Sequence, residues 1–372
     1  MHTLCRCFVM LACGLATTAR AQTQSDSARL ELPPLQLSHR TTLKAFPYAY
    51  YTPETELAIG AGGILTFYTG QDSVLLPSKV GASAYYSTRK QYKVSLDPEV
   101  YLHRNEMFMS LYADLGEAVN KFYGIGNETP DMGLEDYQMF YWGVKAEFQR
   151  KTELLKVTRA GLLYEYHREQ VTDKKANPAL LSDTVTGSTG GAISGLGYTA
   201  LVDSRDHIFF PNTGGRYAVE IMVYPDWLGS DFNYNVTTVD LRQFRQLSPD
   251  HVLAFQVYGQ FAGGNVPFYR LPALGGQNRM RGYFYGRYVD NYYVTGQAEY
   301  RQYFWNRLGF VVFGGLGDVG HGARDFALKD FKISAGAGLR LKFNEEEKVN
   351  LRVDLGIGRD INGVYFGLEE AF

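Results

Sequence analysis

Val349-Asn350-Leu351-Arg352-Val353-Asp354-Leu355-Gly356-Ile357-Gly358 alternates apolar side chains with polar ones or glycine, without a break. Successive side chains of an extended chain point to opposite faces, so this stretch carries one greasy face and one polar face. That is a half-buried strand. The stretch before it reads the same way: Ile333, Ala335, Ala337, Leu339, Leu341 and Phe343 alternate with Lys332, Ser334, Gly336, Gly338, Arg340 and Lys342. Further back the pattern recurs at Tyr92 to Leu102, Phe140 to Gln149, Gly195 to Asp203, Tyr217 to Tyr224 and Leu253 to Phe261.

Turn residues separate these segments at Thr69-Gly70-Gln71-Asp72, Pro211 to Gly215, Ser248-Pro249-Asp250, Asn344-Glu345-Glu346 and Asp360 to Gly363. Longer loops fall at Lys121 to Leu134, Gln170 to Gly190 and Gly264 to Asn291. Short turns alternating with long loops are the mark of a membrane barrel. From Phe46 to Phe372 the 327 residues divide into about sixteen strands, roughly twenty residues per strand and loop, which suits tilted spans of ~9–11 residues.

The barrel class follows from which face is wet. A closed barrel of this width has a lumen that wall side chains alone do not fill. Apolar faces turned outward into lipid leave Lys93, Lys145, Glu147, Arg340, Arg352 and Asp354 facing an aqueous interior, with every backbone amide paired around the sheet. The expected fold is therefore all-β, a transmembrane antiparallel barrel. Two soluble sandwiches with apolar faces inward are the alternative, and no linker divides the chain into two cores.

The first residues read as an address. Arg6, the apolar run Cys7 to Leu15 and the small-x-small site Ala19-Arg20-Ala21 describe a cleaved signal peptide over residues 1–21. A lipoprotein acylated at Cys13 is the other reading. Residues 22–45 are expected to form a short polar periplasmic segment and 46–372 the barrel, leaving no room for a periplasmic domain before it.

Composition narrows the function. All three cysteines, Cys5, Cys7 and Cys13, lie in the leader, so the mature chain has no disulfide framework and no cysteine metal site. Without Arg6 and Arg20 the mature chain has 35 basic and 39 acidic residues, a balance that argues against a nucleic-acid partner. There are 40 Gly, 28 Tyr and 23 Phe, yet mean hydropathy is −0.23 and no run reaches the about eighteen apolar residues of a spanning helix. The seven histidines are scattered without metal-ligand spacing, and no Gly-x-Ser-x-Gly elbow is present. The reading is a non-enzymatic protein with neither metal nor small-molecule cofactor.

One stretch is more specific: Leu271 to Tyr283, ending in Arg281-Gly282-Tyr283, in the long loop before the last five strands. An arginine folded into a lumen needs carboxylates, because a buried unpaired charge is expensive. Glu299, on the polar face with Gln297 and Arg301, and Asp318, closing the following strand, are the candidates.

With these residues the chain resembles the bacterial surface-antigen barrels of the BamA/TamA type. The resemblance also runs through Tyr51 to Gly63, Phe122-Tyr123-Gly124-Ile125-Gly126-Asn127, Asp203-Ser204-Arg205-Asp206, Phe210 to Gly214 and the terminal aromatic Phe372. It implies that Arg281 reaches into the lumen and pairs with Glu299 and Asp318. It also implies that Phe372 belongs to a terminal insertion signal. By alternation Glu370 shares the lipid side with Leu368 and Phe372, a departure from that signal. Pro47 in the first strand lacks a ladder donor, and in the family the seam between first and last strands opens toward lipid.

The expected role is assistance in inserting or translocating proteins or lipids at the bacterial outer membrane, with membrane lipid and nascent outer-membrane proteins as partners. A passive channel or solute transporter, and a structural or surface-binding barrel, are the alternatives.

Overall fold

The computed structural model describes residues 41–70, 75–152, 158–207, 210–304, 307–344, 349–359, 362–368 and 370–372. The signal-peptide reading (1–21), residues 22–40, and parts of the turns at 71–72, 345–346 and 360–361 lie outside the described residues.

Sixteen strands form one antiparallel sheet in which neighbours in sequence are neighbours in space. They are β1 (Thr42–Thr52), β2 (Glu56–Phe67), β3 (Ser78–Ser87), β4 (Tyr92–Leu102), β5 (Met107–Lys121), β6 (Asp136–Lys151), β7 (Arg159–Asp173), β8 (Gly190–Asp203), β9 (Gly214–Tyr224), β10 (Tyr234–Ser248), β11 (His251–Gly264), β14 (Tyr292–Phe304), β15 (Leu308–Gly320), β16 (Lys332–Asn344), β17 (Val349–Ile357) and β18 (Asn362–Leu368). Two two-residue strands, β12 (Ala273–Leu274) and β13 (Tyr288–Val289), pair with each other inside the loop between β11 and β14. β1 begins at Thr42, four positions before Phe46, because the mixed residues Thr42 to Ala45 pair with β2 although their alternation is weak.

Alternation decides the faces. On β17, Leu351, Val353, Leu355 and Ile357 are exposed, while Arg352, Asp354 and Gly356 are buried inside. The exposed apolar belt continues around the barrel through Val364, Phe366, Leu339, Val312, Val257, Ile221, Leu196, Leu162 and Leu111. Such a belt is stable against acyl chains and not against water. Long loops (122–135, 174–189, 265–291) follow odd-numbered β5, β7 and β11, whereas β10 and β11 are joined by Pro249 and Asp250 alone.

The interior departs from the expectation of a wholly aqueous lumen. Lys93, Lys145 and Glu147 are partly exposed on the inner wall, but Arg340, Arg352 and Asp354 are buried. Over one sector the inward residues are apolar: Met139, Leu163, Ile193, Met222 and Tyr224 pack with Phe268 and Leu271 of the β11–β14 loop. The loop supplies what the wall lacks, so this sector is a dry core.

β1 and β18 end the sheet and lie side by side. Among the described residues no backbone ladder joins them.

Val353 sits at the centre of β17 on the outer face. Val353→Arg should lower stability by ~2–4 kcal/mol, measured by urea unfolding in lipid vesicles. Ser110→Arg, on the partly exposed inner wall, should change it by no more than about 0.5 kcal/mol.

Candidate functional site

The loop from Asn265 to Asn291 crosses the lumen and is fastened at both walls. It enters through Pro267 and a short 3-10 turn, Phe268–Arg270. Phe268 packs its ring 4.7 Å from Phe122 and 5.2 Å from Tyr137. Arg270 donates to Glu165 at 3.1 Å and also to Glu169, two residues on one face of β7. Tyr224 donates its hydroxyl to the same Glu165 at 2.5 Å. A cation from the loop thus answers two carboxylates of the wall, the arrangement a buried charge requires.

The tip of the loop lies on the opposite wall, backbone against backbone. Gly282 has φ +109°, and a Cβ there would fall 2.5 Å from the Gly358 nitrogen. Across the contact, a Cβ on Gly356 would fall 2.6 Å from the Arg281 carbonyl carbon. Only glycine on both sides permits this approach. Tyr365 accepts the Gly282 N–H at 2.9 Å. The Tyr283 hydroxyl donates to the Ile333 carbonyl at 3.1 Å and accepts the Arg359 N–H at 3.0 Å, and so bridges β16 to the chain just past β17. Met280 and Tyr283 are buried with Leu274, Tyr258, Tyr293 and Val319.

Arg281 anchors this tip. Its guanidinium lies 3.5 Å from the Phe313 ring centroid, pairs with Glu299, and pairs with Asp354 at 2.7 Å. Asp354 also takes Arg340 at 2.5 Å, and Arg340 takes Glu370 at 2.8 Å. Glu370 lies 3.8 Å from Arg301, which returns to Glu299 at 2.8 Å. The six side chains close a ring of alternating sign, and each is at most 1% exposed. Arg352 approaches Asp354 at 3.5 Å from outside the ring and donates to Asn278 of the loop.

Sequence and structure differ here at three points. The second carboxylate on Arg281 is Asp354. Asp318 pairs with Lys332 at 2.6 Å. The register explains this: Glu299 faces Phe313 in the lumenal phase, while Asp318 faces Val294, one residue out of that phase. Glu370 and Phe372 are not on the lipid side. The chain leaves the sheet after Leu368, so strand alternation no longer governs it. Phe372 is buried against Phe244 and Ala254 of β10 and β11. Asp354 and Arg340 were assigned to the lumenal face but not to Arg281, because a sequence shows the face a residue takes and not its height on a barrel wall; Glu370 was assigned to the wrong face, because alternation ends with the sheet.

Two of the other segments behind the resemblance meet the same loop, and the remaining two meet β14. Glu54 accepts the Tyr285 N–H at 2.9 Å. Gly126 donates to the Val289 carbonyl at 2.8 Å, and Arg287 lies over the Tyr123 ring at 4.5 Å. Asp206 accepts the N–H groups of Asn212 and Thr213, fixing the β8–β9 turn that presents Phe210 to Tyr303 at 5.0 Å. Burial would raise the Asp206 pKa, but these hydrogen bonds outweigh it and hold the carboxyl below its ordinary value. Among the described residues no three His, Cys, Asp or Glu side chains are grouped to hold a metal ion.

A family model described as the Omp85 superfamily domain matches residues 77–372. In fold the chain is similar to BamA from Haemophilus ducreyi lacking POTRA domains 1–3, with TM-score 0.61 and 14% identity over 89% of this chain and 70% of that one. It is also similar to CdiB from Acinetobacter baumannii, with TM-score 0.56 and 12% identity over 89% of this chain and 59% of that one. Identities this low establish the shared fold alone. No curated protein matches the chain by sequence.

Removing one member of a buried ion pair typically costs ~3–5 kcal/mol. Glu299 keeps Arg301 and Asp354 keeps Arg340, so Arg281→Ala should fall at the lower end. The readout is an earlier loss of the folded band when samples are warmed before electrophoresis. Gly356→Val should cost about 1–3 kcal/mol by pushing the tip off β17, seen as faster proteolysis of the loop.

Proposed function

The chain belongs to the Omp85 superfamily, and from that premise we propose that it is an outer-membrane barrel assisting the insertion or translocation of proteins at that membrane. The observation carrying this reading is a pairing of features: a lumenal loop bolted to the wall by a buried arginine, and a sheet whose two end strands, among the described residues, are not laddered together. The unladdered edges leave backbone donors and acceptors of β1 and β18 available to an incoming strand.

Pro47 removes one donor from β1. Opposite it, β18 is short, spanning Asn362–Leu368 against the eleven residues of β1. Both weaken the closure and favour the seam as the place where the barrel opens toward lipid. A passive channel needs a clear passage, and a loop tied to β7 on one side and to β14 and β17 on the other obstructs it. The role is mechanical: pairing and exclusion, without covalent chemistry.

Cysteines introduced into β1 and β18 test this in a mature chain whose sequence contains none. Oxidation should abolish the acceleration of membrane insertion of an unfolded outer-membrane barrel supplied to vesicles, and reductant should restore it. Insertion proceeding equally in the oxidised and reduced states would sink the reading.

A further inference from the structure

Glu370 belongs to the tail that follows the closing strand, yet it completes the ring that holds the loop tip. The tail leaves β18 after Leu368 and runs along the inner wall. Glu370 accepts from Asn350 of β17 at 2.7 Å, from Arg340 of β16 at 2.8 Å and from Tyr303 of β14 at 3.0 Å. Phe372 then packs against Phe244 of β10 and Ala254 of β11, while its carbonyl accepts from Arg301 of β14 at 3.0 Å and the same guanidinium lies 5.3 Å from its ring. Glu370 and Phe372 therefore strap the inner faces of five strands, β10, β11, β14, β16 and β17.

We propose that this tail is a latch coupling the position of the closing strand to the position of the lumenal loop. Arg340 is shared between Asp354, which holds the loop, and Glu370, which holds the tail. Arg301 is shared in the same way between Glu299 and the tail. With Glu370 in place, four buried guanidiniums (Arg281, Arg301, Arg340, Arg352) face three carboxylates. With it withdrawn they face two, and Arg281 sits among unbalanced cations in a dry site, where repulsion is poorly screened. Pulling β18 away from the seam drags the tail off the wall, opens the ring and loosens the tip.

Continuing β18 outward is disfavoured by the same residue. Val364 and Phe366 lie on the lipid face, so an extended tail would carry Glu370 onto that face too. A carboxylate there is unfavourable. Turning inward gives it two arginines instead. By thermodynamic linkage the coupling is reciprocal: releasing the loop tip must weaken the tail.

The purpose of the latch rests on the seam-opening reading above; the coupling itself does not. Hydrogen exchange on the whole barrel in lipid nanodiscs, without any client, measures it. Glu370→Gln should raise exchange of the tip amides (275–286) at least tenfold, while Asp114→Asn, whose partner Lys93 lies on another part of the wall, should leave them within twofold. Phe372→Ala, which loosens the tail without removing a ring charge, should act in the same direction, and Arg281→Gln should deprotect the amides of 370–372. If Glu370→Gln does not fold, the Phe372→Ala arm decides. Tip exchange within twofold of wild type in a folded variant whose tail amides exchange freely overturns the latch. Tip release without any effect of seam crosslinking on client insertion would leave the latch standing and overturn the proposed function instead.

Discussion

Everything inside this barrel depends on a closed circuit of three arginines and three carboxylates in a place water does not reach. Isolated, any one of these charges would be costly to bury. Alternated around a ring, each cation meets two anions and each anion two cations, so the desolvation is offset locally. The circuit draws on a loop tip (Arg281), three wall strands (β14, β16, β17) and the tail (Glu370). It therefore fixes the geometry of parts that are distant in sequence.

The loop solves a problem set by barrel width. Sixteen strands enclose more space than inward side chains fill. Here the chain fills part of it with its own segment, leaving a dry apolar sector beside β5 to β11 and a partly wet wall along β3 to β6, where pairs such as Lys93 with Asp114 and Lys79 with Glu99 remain partly exposed. The two ends of the loop use the same device, an arginine answering two carboxylates: Arg270 on β7, Arg281 on β14 and β17. Between them, Tyr283 and Tyr365 replace ladder bonds where the tip lies against bare glycine backbone.

The strands were legible because a period of two is a strong local signal: β4 matches the sequence reading end for end, β17 stops at Ile357, one residue short of it, and the three long loops fall where the alternation lapses. The lumenal arginine and Glu299 were legible too, one from its loop and the other from its face. Pairing across strands was not. Glu299 and Asp354 share a lumenal phase and Asp318 lies one residue out of it, a distinction carried by register and not by composition. Glu370 misled because alternation holds only within a sheet, and the chain leaves the sheet two residues earlier. The dry sector was hidden for a related reason: apolar side chains at Ile193, Met222 and Met139 point inward toward a loop far along the chain, so their partner is invisible to any local pattern.

Single-barrel conductance in planar bilayers bears most directly on the claim that the barrel carries its own bolted plug. A bolted plug gives a closed state interrupted by rare, brief openings that become frequent when Arg281 is replaced by alanine. A large, steady current through the unaltered protein, unchanged by that replacement, would contradict it.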